Sequence, residues 1–385
     1  MSQQNKKRKI AIITGTRAEY GYVRPIIKAI DKHPDLDYGL VVTNMHLLDA
    51  FGYSLEDIKK DNAKIDATVY NTFDGYNHLT MVKSLSVFQL QLPEILEQMK
   101  ADMVLISGDR GEQLMAAIVG AYMYIPVAHI QGGELSGNID GMTRHAITKM
   151  AHIHFVANQD AASRVLKMGE ESRRIHEVGA PLLDDLVAGE ITSSEEIYKK
   201  FSLEKNKPVI LFVFHSVTEE LRHLKKYMDE VLDALTKYEY QTIAIMNNSD
   251  AGSVIIREKL AENNKSFINF YKNVSRRDYA GLLNTVDVIV GNSSSSILEA
   301  PTFKLPAVNI GNRQKGREHG INVINVGYDA KSIEDAIEKA LSSEFKKEMG
   351  RCINPYGDGK SAQRIVDILA NANIDDDLLI KDITY

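Results

Sequence analysis

The chain has 385 residues, and its 46 Lys and Arg against 52 Asp and Glu give a formal net charge of −6. This length predicts two domains, because a single hydrophobic core rarely grows past about 250–300 residues. The single cysteine, Cys352, excludes a disulfide scaffold and fits a reducing compartment. The acidic balance argues against a nucleic-acid binder that relies on overall positive charge.

The sequence also argues against a membrane protein. No stretch has the roughly 18–20 apolar residues that a membrane-spanning helix requires. The apolar run Ile10–Ile13 is too short for the core of a signal peptide, and the basic stretch Lys6–Lys9 is interpreted as a solvated lead-in to the first strand. We therefore expect a cytoplasmic protein with neither a membrane nor a nucleic-acid partner.

The N-terminal half alternates short β-branched runs with amphipathic segments, which is typical of strands alternating with helices. The predicted strands are 9–14, 38–43, 101–107 and 124–130. The predicted helices are 22–30, 88–100, 112–122 and 143–151.

A polar, charged stretch at 188–200 is interpreted as a linker, and the same alternation restarts after it. The predicted strands of this half are 208–214, 241–246, 286–290 and 307–310, and a long helix is predicted at 218–237. A short internal similarity relates the two halves: the segment Asp102–Asp109 resembles Asp287–Asn292. Strands alternating with helices predict parallel sheets, so we expect two doubly wound domains with ligands at the strand ends, in the cleft between the domains.

Two motifs follow predicted strands of the first half. Gly15-Thr16-Arg17 offers a tight turn and a planar guanidinium for phosphate or carboxylate, although an ordinary turn with a surface Arg fits equally well. Gly108-Asp109-Arg110 places a carboxylate at a buried strand end, which is costly unless the carboxylate is paired or used. Asp109 is interpreted as a base and Arg110 as its charged partner or an anion-binding group, with a structural ion pair as the alternative.

A glycine-rich turn, His129–Glu134, comes next and is followed by Asp140, Arg144 and His145. The paired glycines let the backbone approach a ligand closely. Asp140 and Arg144 share a helix face, which also fits an ordinary salt bridge. The concentration of acids, Arg and His around one turn indicates an active site.

A run of serines, Asn292–Ser296, precedes a predicted helix at 297–303. Backbone N–H groups, the helix dipole and the hydroxyls together predict an anion site. Ser296 and Glu299 also fit a capping box, but four serines exceed what one cap needs, so phosphate binding is favoured. Because Glu299 would repel a phosphate, sugar hydroxyls are its more natural ligand.

A second basic, glycine-flanked loop, Gly311–Arg317, would surround a diphosphate together with Arg17 and the serines. The chain has neither a G-x-G-x-x-G nor a Walker A motif, and no metal-ligand cluster is visible, so we expect no cofactor and no metal. His152 and His154 are interpreted as structural rather than as zinc ligands. The residues alone thus predict a cleft that holds a nucleotide diphosphate. Carboxylates of the N-terminal half would act on the group that the diphosphate carries, as in a sugar nucleotide.

At these motifs the sequence resembles the hydrolysing UDP-N-acetylglucosamine 2-epimerases, in the branch that starts sialic-acid-type (nonulosonate) synthesis. The resemblance covers nearly the whole chain. It rests on Thr14–Tyr20, Asn44–His46, Gly108–Arg110, His129–Gly137, Arg144–Lys149, Asp250–Ser253, Gly291–Ser294 and Gly311–Arg317.

The resemblance implies an α/β, glycosyltransferase-B-like fold with two Rossmann-like doubly wound domains facing across a cleft. We expect a sugar-binding and catalytic domain at 1–187, a UDP-binding domain at 200–358, and a C-terminal helix within 359–385 that returns to the first domain. Relatives commonly form dimers or tetramers, which implies a homodimer or homotetramer.

The resemblance also implies a reaction. Departure of UDP develops oxocarbenium character at C1 of the sugar, which makes the C2 proton removable and leads to a C1–C2 glycal. Water then adds to the glycal with the opposite configuration at C2. The products are N-acetylmannosamine and UDP, and no redox cofactor is needed.

Site residues are implied by matching motifs. Asp109 and Asp140 match acid/base carboxylates. The groups implied to bind the sugar or the leaving phosphate are Arg110, His46, His145 and His215. The UDP site is implied to consist of Arg17, Gly21, Asn248, Ser293, Ser294, Glu299 and Arg313, with Glu299 on the ribose.

One position departs from the family pattern, because Gln131 stands where many relatives have a catalytic Glu. An amide cannot exchange a proton usefully near neutral pH. Either Glu134 substitutes, or Asp109 and Asp140 suffice, or the substrate differs.

Three alternatives to UDP-N-acetylglucosamine epimerisation stay open. The same reaction on UDP-2,4-diacetamido-2,4,6-trideoxy-glucose, in legionaminic acid synthesis, differs only at C4 and C6 of the sugar. A glycosyltransferase of the same fold would leave the cluster around Asp140 and His145 unexplained. A UDP-sugar sensor without turnover is supported only by Gln131.

Overall fold

The structure is a computed structural model that describes residues 7–49, 52–73, 78–136, 139–245, 252–263, 265–272 and 274–384. The chain divides into two compact units. Unit 1 comprises Met1–Asp185 and Tyr356–Tyr385, and unit 2 comprises Leu186–Pro355.

Each unit is built on one parallel sheet. The strands of unit 1 are β1 (Arg8–Thr14), β2 (Leu36–Thr43), β3 (Ile65–Val69), β4 (Met103–Ser107), β5 (Val127–Ile130), β6 (Ile153–Val156) and β7 (Ile175–Glu177). Those of unit 2 are β8 (Val209–Val213), β9 (Gln241–Ile245), β10 (Ile268–Tyr271), β11 (Val288–Gly291), β12 (Ala307–Ile310) and β13 (Val323–Val326). The strand orders are β3-β2-β1-β4-β5-β6-β7 and β10-β9-β8-β11-β12-β13.

Helices connect the strands. They are α1 (Arg17–Asp31), α2 (Leu55–Lys60), α3 (His78–Met99), α4 (Gly111–Tyr122), α5 (Ile139–Met150), α6 (Gln159–Lys167), α7 (Asp184–Val187), α8 (Ser194–Lys200), α9 (Leu224–Thr236), α10 (Ser253–Glu262), α11 (Arg276–Thr285), α12 (Ser295–Leu298), α13 (Ala330–Leu341), α14 (Ser343–Glu348), α15 (Ser361–Asn371) and α16 (Asp376–Leu379). Two parallel, doubly wound sheets of this order confirm the predicted glycosyltransferase-B-like class, and each sheet reverses its strand order once, at β1/β4 and at β8/β11.

The hydrophobic cores explain why these segments form sheets with helices on both faces. In unit 2, Met228 of α9 and Ile333 of α13 belong to one core cluster, whereas Ile197 of α8 and Leu282 of α11 belong to another. In unit 1, Phe88 of α3 packs in the cluster that includes β1 and β4 residues. The central strands are buried on both faces, so they consist mostly of apolar residues.

Several predicted elements differ in detail. The predicted linker contains α8, whose N-cap Ser193 forms a capping box with Glu196. The long helix predicted at 218–237 begins as a 3₁₀ segment, Thr218–His223, and becomes α-helical at Leu224. The predicted strand 124–130 begins only at Val127, because Tyr124 adopts a left-handed φ of 55° that belongs to a turn.

The C-terminal helix α15 packs in unit 1 beside α1. Asp184 caps it by accepting hydrogen bonds from the backbone N–H groups of Ser361 at 3.1 Å and Ala362 at 2.7 Å. At its other end, Arg8 donates to the carbonyl of Ala370 at 3.1 Å. Across the described ranges, no helix combines the length and apolarity needed to cross a membrane.

Candidate functional site

The first group of predicted residues lies in unit 1 where β1 ends. Thr16 caps α1 and forms a reciprocal capping box with Glu19, whose carboxylate accepts from the N–H groups of Gly15 at 2.6 Å and Thr16 at 3.2 Å. This fixes the loop and places Arg17 at the first helical position. The Arg17 side chain is 45% exposed and donates to the carbonyl of Gly52 at 3.4 Å, so its guanidinium is accessible to a ligand.

Asp109 follows β4, and its carboxylate is held by a buried arginine. Its Oδ2 accepts from the hydroxyl of Ser136 at 2.8 Å and from the guanidinium of Arg144. Arg144 is 4% exposed and also donates to the carbonyl of Gln131 at 2.7 Å and to Ser136 Oγ at 3.0 Å. The bond from Arg144 therefore connects the middle of α5 to the end of β4, a contact that the predicted pairing of Asp109 with Arg110 does not include.

Arg110 lies instead among four carboxylates. Burial lowers the pKa of its guanidinium, but the charges of Glu112, Glu19, Asp140 and Asp109, in that order, outweigh burial and raise it. The structure thus brings the two predicted acid/base residues, Asp109 and Asp140, to one arginine. A guanidinium so surrounded remains cationic and can stabilise negative charge on a departing phosphate.

Glu19 and Glu112 are site residues that the sequence reasoning missed. Glu112 accepts from the amide of Asn44 and lies 3.9 Å from Arg110 Nε. Burial and, to a smaller extent, the charge of Glu112 raise the pKa of Glu19 to about 8, against the opposing charge of Arg110. The T-x-x-E spacing of Thr16 and Glu19 could have revealed Glu19, whereas nothing local to Glu112 indicates its role.

Gln131 lies beside Asp109 in an unusual backbone conformation. Its φ is 72°, in the left-handed region that residues with a side chain rarely adopt. Its Oε1 accepts from the hydroxyl of Ser107 at 3.4 Å and would lie 3.5 Å from a Cβ at Gly108. The side chain is therefore next to the strand end that carries Asp109, but as an amide it cannot transfer a proton there.

The other predicted residues of this loop and helix have different exposures. Glu134 is 5% exposed, and Asp140 is half-buried in the first turn of α5. His145 is exposed on the same helix. The structure brings Asp140 to Arg110, and it leaves His145 open to solvent.

His46 lies in the short segment that follows β2. Its ring is fully buried, with Nε2 3.0 Å from Thr14 Oγ1 and Nδ1 2.7 Å from Ser54 Oγ. Burial lowers the pKa of His46 to about 4. Through these two bonds His46 positions the loops after β1 and β2. Its contact with the sugar or the leaving phosphate stays a prediction.

Three further buried histidines have structural partners. His129 Nε2 donates to the carbonyl of Gly108 at 2.7 Å, and burial lowers the pKa of His129 to about 3. His152 Nδ1 accepts from the N–H of Val127 at 3.0 Å, and burial lowers the pKa of His152 to about 4. His154 pairs with Glu170 at 3.1 Å. Within the described ranges, no three His, Cys, Asp or Glu side chains come together as a metal site.

These histidines predict that acid destabilises the protein. His46, His129 and His152 stay neutral in the folded state down to pH 3–4, whereas unfolded histidine takes up a proton near pH 6.5. Glu19 acts in the opposite direction between about pH 4.5 and 8, because its raised pKa lets the folded state bind one extra proton. We expect the free energy of unfolding to fall by at least roughly 3 kcal/mol per pH unit near pH 5, because these four groups alone give a net difference of about two protons.

Urea unfolding followed by far-ultraviolet circular dichroism at several pH values between about 7 and 5 measures this slope. His46→Gln removes one buried imidazole and should reduce the slope of the free energy of unfolding against pH by the contribution of about one proton. His223→Gln, at an exposed position, is the matched control and should leave the slope unchanged. A free energy of unfolding independent of pH over this range would contradict the prediction.

The second group of predicted residues lies in unit 2, at the strand ends of β8, β11 and β12. Asn292 is fully buried after β11 and joins them: its Oδ1 accepts from the N–H of His215 at 2.7 Å and its Nδ2 donates to the His215 carbonyl at 2.8 Å. Its own carbonyl accepts from Arg313 at 3.1 Å and from Gln314 at 2.9 Å. Asn292 therefore positions two of the predicted site residues, His215 and Arg313.

The helix that follows the serine run is shorter than predicted. α12 spans only Ser295–Leu298 and is followed by a 3₁₀ segment, Ala300–Phe303, that contains Pro301, a residue without a backbone N–H. The predicted helix at 297–303 was wrong in this respect. A helix of one turn supplies little dipole, so ligand binding here depends on the hydroxyls, the loop N–H groups and Arg313.

The capping box considered for Ser296 and Glu299 does not form. The Ser296 hydroxyl donates to the carbonyl of Ser293 at 2.6 Å, and the Glu299 carboxylate pairs with Arg276. Glu299 is 6% exposed, and Arg276 neutralises the charge that was expected to repel a phosphate. The sequence reasoning missed Arg276, because nothing local to α11 points to a residue 23 positions away.

A family model described as UDP-N-acetylglucosamine 2-epimerase matches residues 28–370. The chain belongs to this family. A UDP-N,N'-diacetylbacillosamine 2-epimerase (hydrolyzing) from Legionella pneumophila is 36% identical over 375 residues, covering 97% of this chain and 98% of the relative. A UDP-N-acetylglucosamine 2-epimerase from Neisseria meningitidis is 34% identical over 365 residues, covering 94% and 95%.

The fold is shared as well. The crystal structure of UDP-GlcNAc 2-epimerase from Neisseria meningitidis bound to UDP-GlcNAc superimposes with a TM-score of 0.82 at 20% identity, covering 94% of this chain and 100% of that one. Membership of the UDP-N-acetylglucosamine 2-epimerase family confirms the resemblance that the motifs indicated.

The family resemblance also places Gly21 and Asn248 in the UDP site. Gly21 lies inside α1, and a Cβ added to it would meet no atom within 4 Å, so its small size answers no steric need within unit 1. Asn248 and the turn predicted at 247–252 lie outside the described residues as far as Ala251. Ser293 and Ser294 lie at the start of α12 as predicted.

Proposed function

We propose that this epimerase hydrolyses its substrate, converting UDP-N-acetylglucosamine to N-acetylmannosamine and UDP. The observation that supports it most is the pair of carboxylates, Asp109 and Asp140, gathered at Arg110, with Asp109 fixed by buried Arg144. A base and a cation at the end of one strand fit a reaction that removes a proton while a phosphate departs.

The steps assign a role to each group. Unit 2 holds UDP through Ser293, Ser294 and Arg313, with Glu299 on the ribose. The C1–O bond breaks and its electron pair leaves with UDP, whose new charge Arg110 stabilises.

In the same elimination, a carboxylate of unit 1 removes the C2 proton, and the C2–H electron pair becomes the C1–C2 double bond of the glycal. Water then adds its oxygen at C1, and a proton returns to C2 from the opposite face. Asp109 and Asp140 serve as the two proton-transfer groups, since Gln131 cannot.

A second substrate is favoured by one specific observation. The Legionella pneumophila relative, at 36% identity, is named for UDP-N,N'-diacetylbacillosamine, which is the 2,4-diacetamido-trideoxy sugar nucleotide considered from the sequence. The two substrates share UDP and the 2-acetamido group, so the groups of both units serve either reaction.

Separate incubations with the two sugar nucleotides at equal concentration distinguish the candidates. Release of UDP and free N-acetylmannosamine, detected by ion-exchange chromatography and proton NMR, is the expected result with UDP-N-acetylglucosamine. A kcat/KM at least about tenfold higher for the diacetamido nucleotide would assign the second substrate instead. Binding of both nucleotides without release of UDP from either would refute the proposed activity.

Glu299→Gln is expected to weaken UDP binding by about tenfold or more, because a hydrogen bond between a ribose hydroxyl and a charged group contributes roughly 1.5–3 kcal/mol. The variant keeps the shape of the side chain but loses its charge, and with it the ion pair to Arg276. Isothermal titration calorimetry with UDP measures the change. Glu258→Gln, at an exposed position of α10, is the matched control, and equal UDP affinities of the two variants would contradict the role of Glu299.

A further inference from the structure

A cavity of about 440 Å³ lies in unit 2 at the carboxyl ends of β12 and β13. The loop Gly311–Arg317 forms one side, and Tyr328 forms part of another. Within this loop, Arg313 contacts the Asn292 carbonyl and is not among the residues that line the cavity. The volume falls in the range of small-molecule sites, about 300–1,000 Å³.

A buried amide at the cavity wall lacks a hydrogen-bond partner. Asn309, at β12, lines the cavity, is 3% exposed, and its Oδ1 has no partner within the described part of the chain. Leaving a buried acceptor unsatisfied costs about 1–3 kcal/mol. Such an atom at a cavity wall indicates a ligand that donates a hydrogen bond to it.

The hydrogen-bond network fixes which end of that amide is free. The carbonyl of Gly320 can only accept, so His319 Nδ1, 3.0 Å away, carries the proton and Nε2 accepts from Asn325 Nδ2 at 3.0 Å. Asn325 Oδ1 must then accept from Asn309 Nδ2 at 2.8 Å. The atom left over is Asn309 Oδ1, an acceptor that matches a ligand hydroxyl.

The charge of the lining defines the rest of the ligand. Lys315 and Arg317 line the cavity, and none of its lining residues in the described ranges is acidic. Arg317 also donates to Gln314 Oε1 at 3.3 Å, which holds its guanidinium beside the cavity. The two lining cations outnumber the carboxylate of Glu220, which contacts Asn312 and Tyr328 of the lining, and therefore favour an anion. Arg in particular matches carboxylate or phosphate geometry.

The aromatic wall is preformed. The Tyr328 ring stacks on Tyr227 with centroids 3.7 Å apart, and its hydroxyl donates to Glu220. Gly311 has a φ of 76°, and a Cβ there would lie 2.2 Å from the Tyr328 hydroxyl, so only glycine permits this packing. A wall already held in place lowers the cost of ordering the site on binding.

We propose that this cavity, lined by Asn309, Lys315, Arg317 and Tyr328, binds a small hydroxylated anion, either a sugar acid or a sugar phosphate. The anionic group pairs with Lys315 and Arg317, and a hydroxyl donates to Asn309 Oδ1. Arg313, which the proposed function assigns to UDP, belongs to the same loop but does not line the cavity, and binding of this anion does not depend on the proposed epimerase activity.

The test is isothermal titration calorimetry of the full chain with glucuronate, glucose 6-phosphate, inorganic phosphate and glucose. We expect glucuronate or glucose 6-phosphate to bind at least about tenfold more tightly than neutral glucose, and the tighter of the two identifies the acid or the phosphate as the anionic group. The double variant Lys315→Gln/Arg317→Gln should lose that affinity by at least about tenfold. Lys331→Gln, at an exposed position of α13, is the control and should bind as the native chain does.

Asn309→Ala separates the hydroxyl contact from the charge contact. The variant should bind the hydroxylated anion about tenfold more weakly and should bind inorganic phosphate with unchanged affinity. Circular dichroism confirms folding of each variant, and the Lys315→Gln/Arg317→Gln variant keeps the test informative if Asn309→Ala does not fold. No binding of either sugar anion up to about 10 mM, or equal binding by the native chain and the Lys315→Gln/Arg317→Gln variant, would overturn the proposal.

Discussion

Replacing Asp109 by Asn is expected to lower kcat by about 10²–10⁴-fold, the usual contribution of a positioned general acid or base. The amide preserves the size of the side chain and its hydrogen bond from Ser136, but it cannot accept the C2 proton. UDP affinity should change little, because the groups assigned to UDP are almost all in unit 2. Steady-state kinetics and calorimetry with UDP measure the two quantities separately.

Two controls make this result specific to proton transfer. Asp335→Asn removes a carboxylate that is 59% exposed on α13 and should leave kcat unchanged. Thermal unfolding of Asp109→Asn shows whether the loss of charge beside Arg144 unfolds the protein, since Arg144 keeps its bonds to the Gln131 carbonyl and to Ser136. A folded Asp109→Asn variant with kcat within about threefold of the native value would remove Asp109 from the reaction.

Replacing Arg144 by Met is expected to lower the free energy of unfolding by about 3–5 kcal/mol, because it breaks an ion pair of a buried arginine and removes the donor from the Asp109 carboxylate and the Gln131 carbonyl. Arg144 is 4% exposed and connects Asp109, Ser136 and the Gln131 backbone. Met keeps the apolar stem of the side chain and removes the guanidinium. Because Arg144 no longer holds the Asp109 carboxylate in place, kcat of a folded Arg144→Met variant should fall by at least about tenfold.

Urea unfolding followed by circular dichroism measures the loss of stability. Arg173→Met is the matched control, because Arg173 is 46% exposed and pairs with Asp377, which is 75% exposed. An exposed pair of this kind contributes about 0–1 kcal/mol. If both variants lose the same free energy of unfolding, the buried ion pair does not hold unit 1 together in the way described.

The sequence predicts the central strands of both sheets well. β1, β4, β8 and β11 are buried on both faces, so they appear as apolar runs that periodicity alone detects. The edge strands β3, β7, β10 and β13 were not predicted. Each is at most five residues long and partly exposed, which makes its pattern indistinguishable from that of a loop.

The site was predictable as far as strand ends reveal it. Asp109, Ser293 and Arg313 were found because they follow buried strands, where ligands of parallel sheets bind. The partner of Asp109 was not found, because Arg144 lies 35 residues away and has a carboxylate four positions before it on its own helix. Arg276 was not predicted for the same reason. It is brought to Glu299 by the tertiary structure, and the two residues are 23 positions apart in the sequence.

Incubation with UDP-N-acetylglucosamine in D₂O, followed by proton NMR, tests the central claim that the C2 proton is removed as UDP departs. The expected product is N-acetylmannosamine with deuterium at C2, formed together with one equivalent of UDP. Free sugar that retains the original hydrogen at C2, or a 2-epimer that is still attached to UDP, would contradict it.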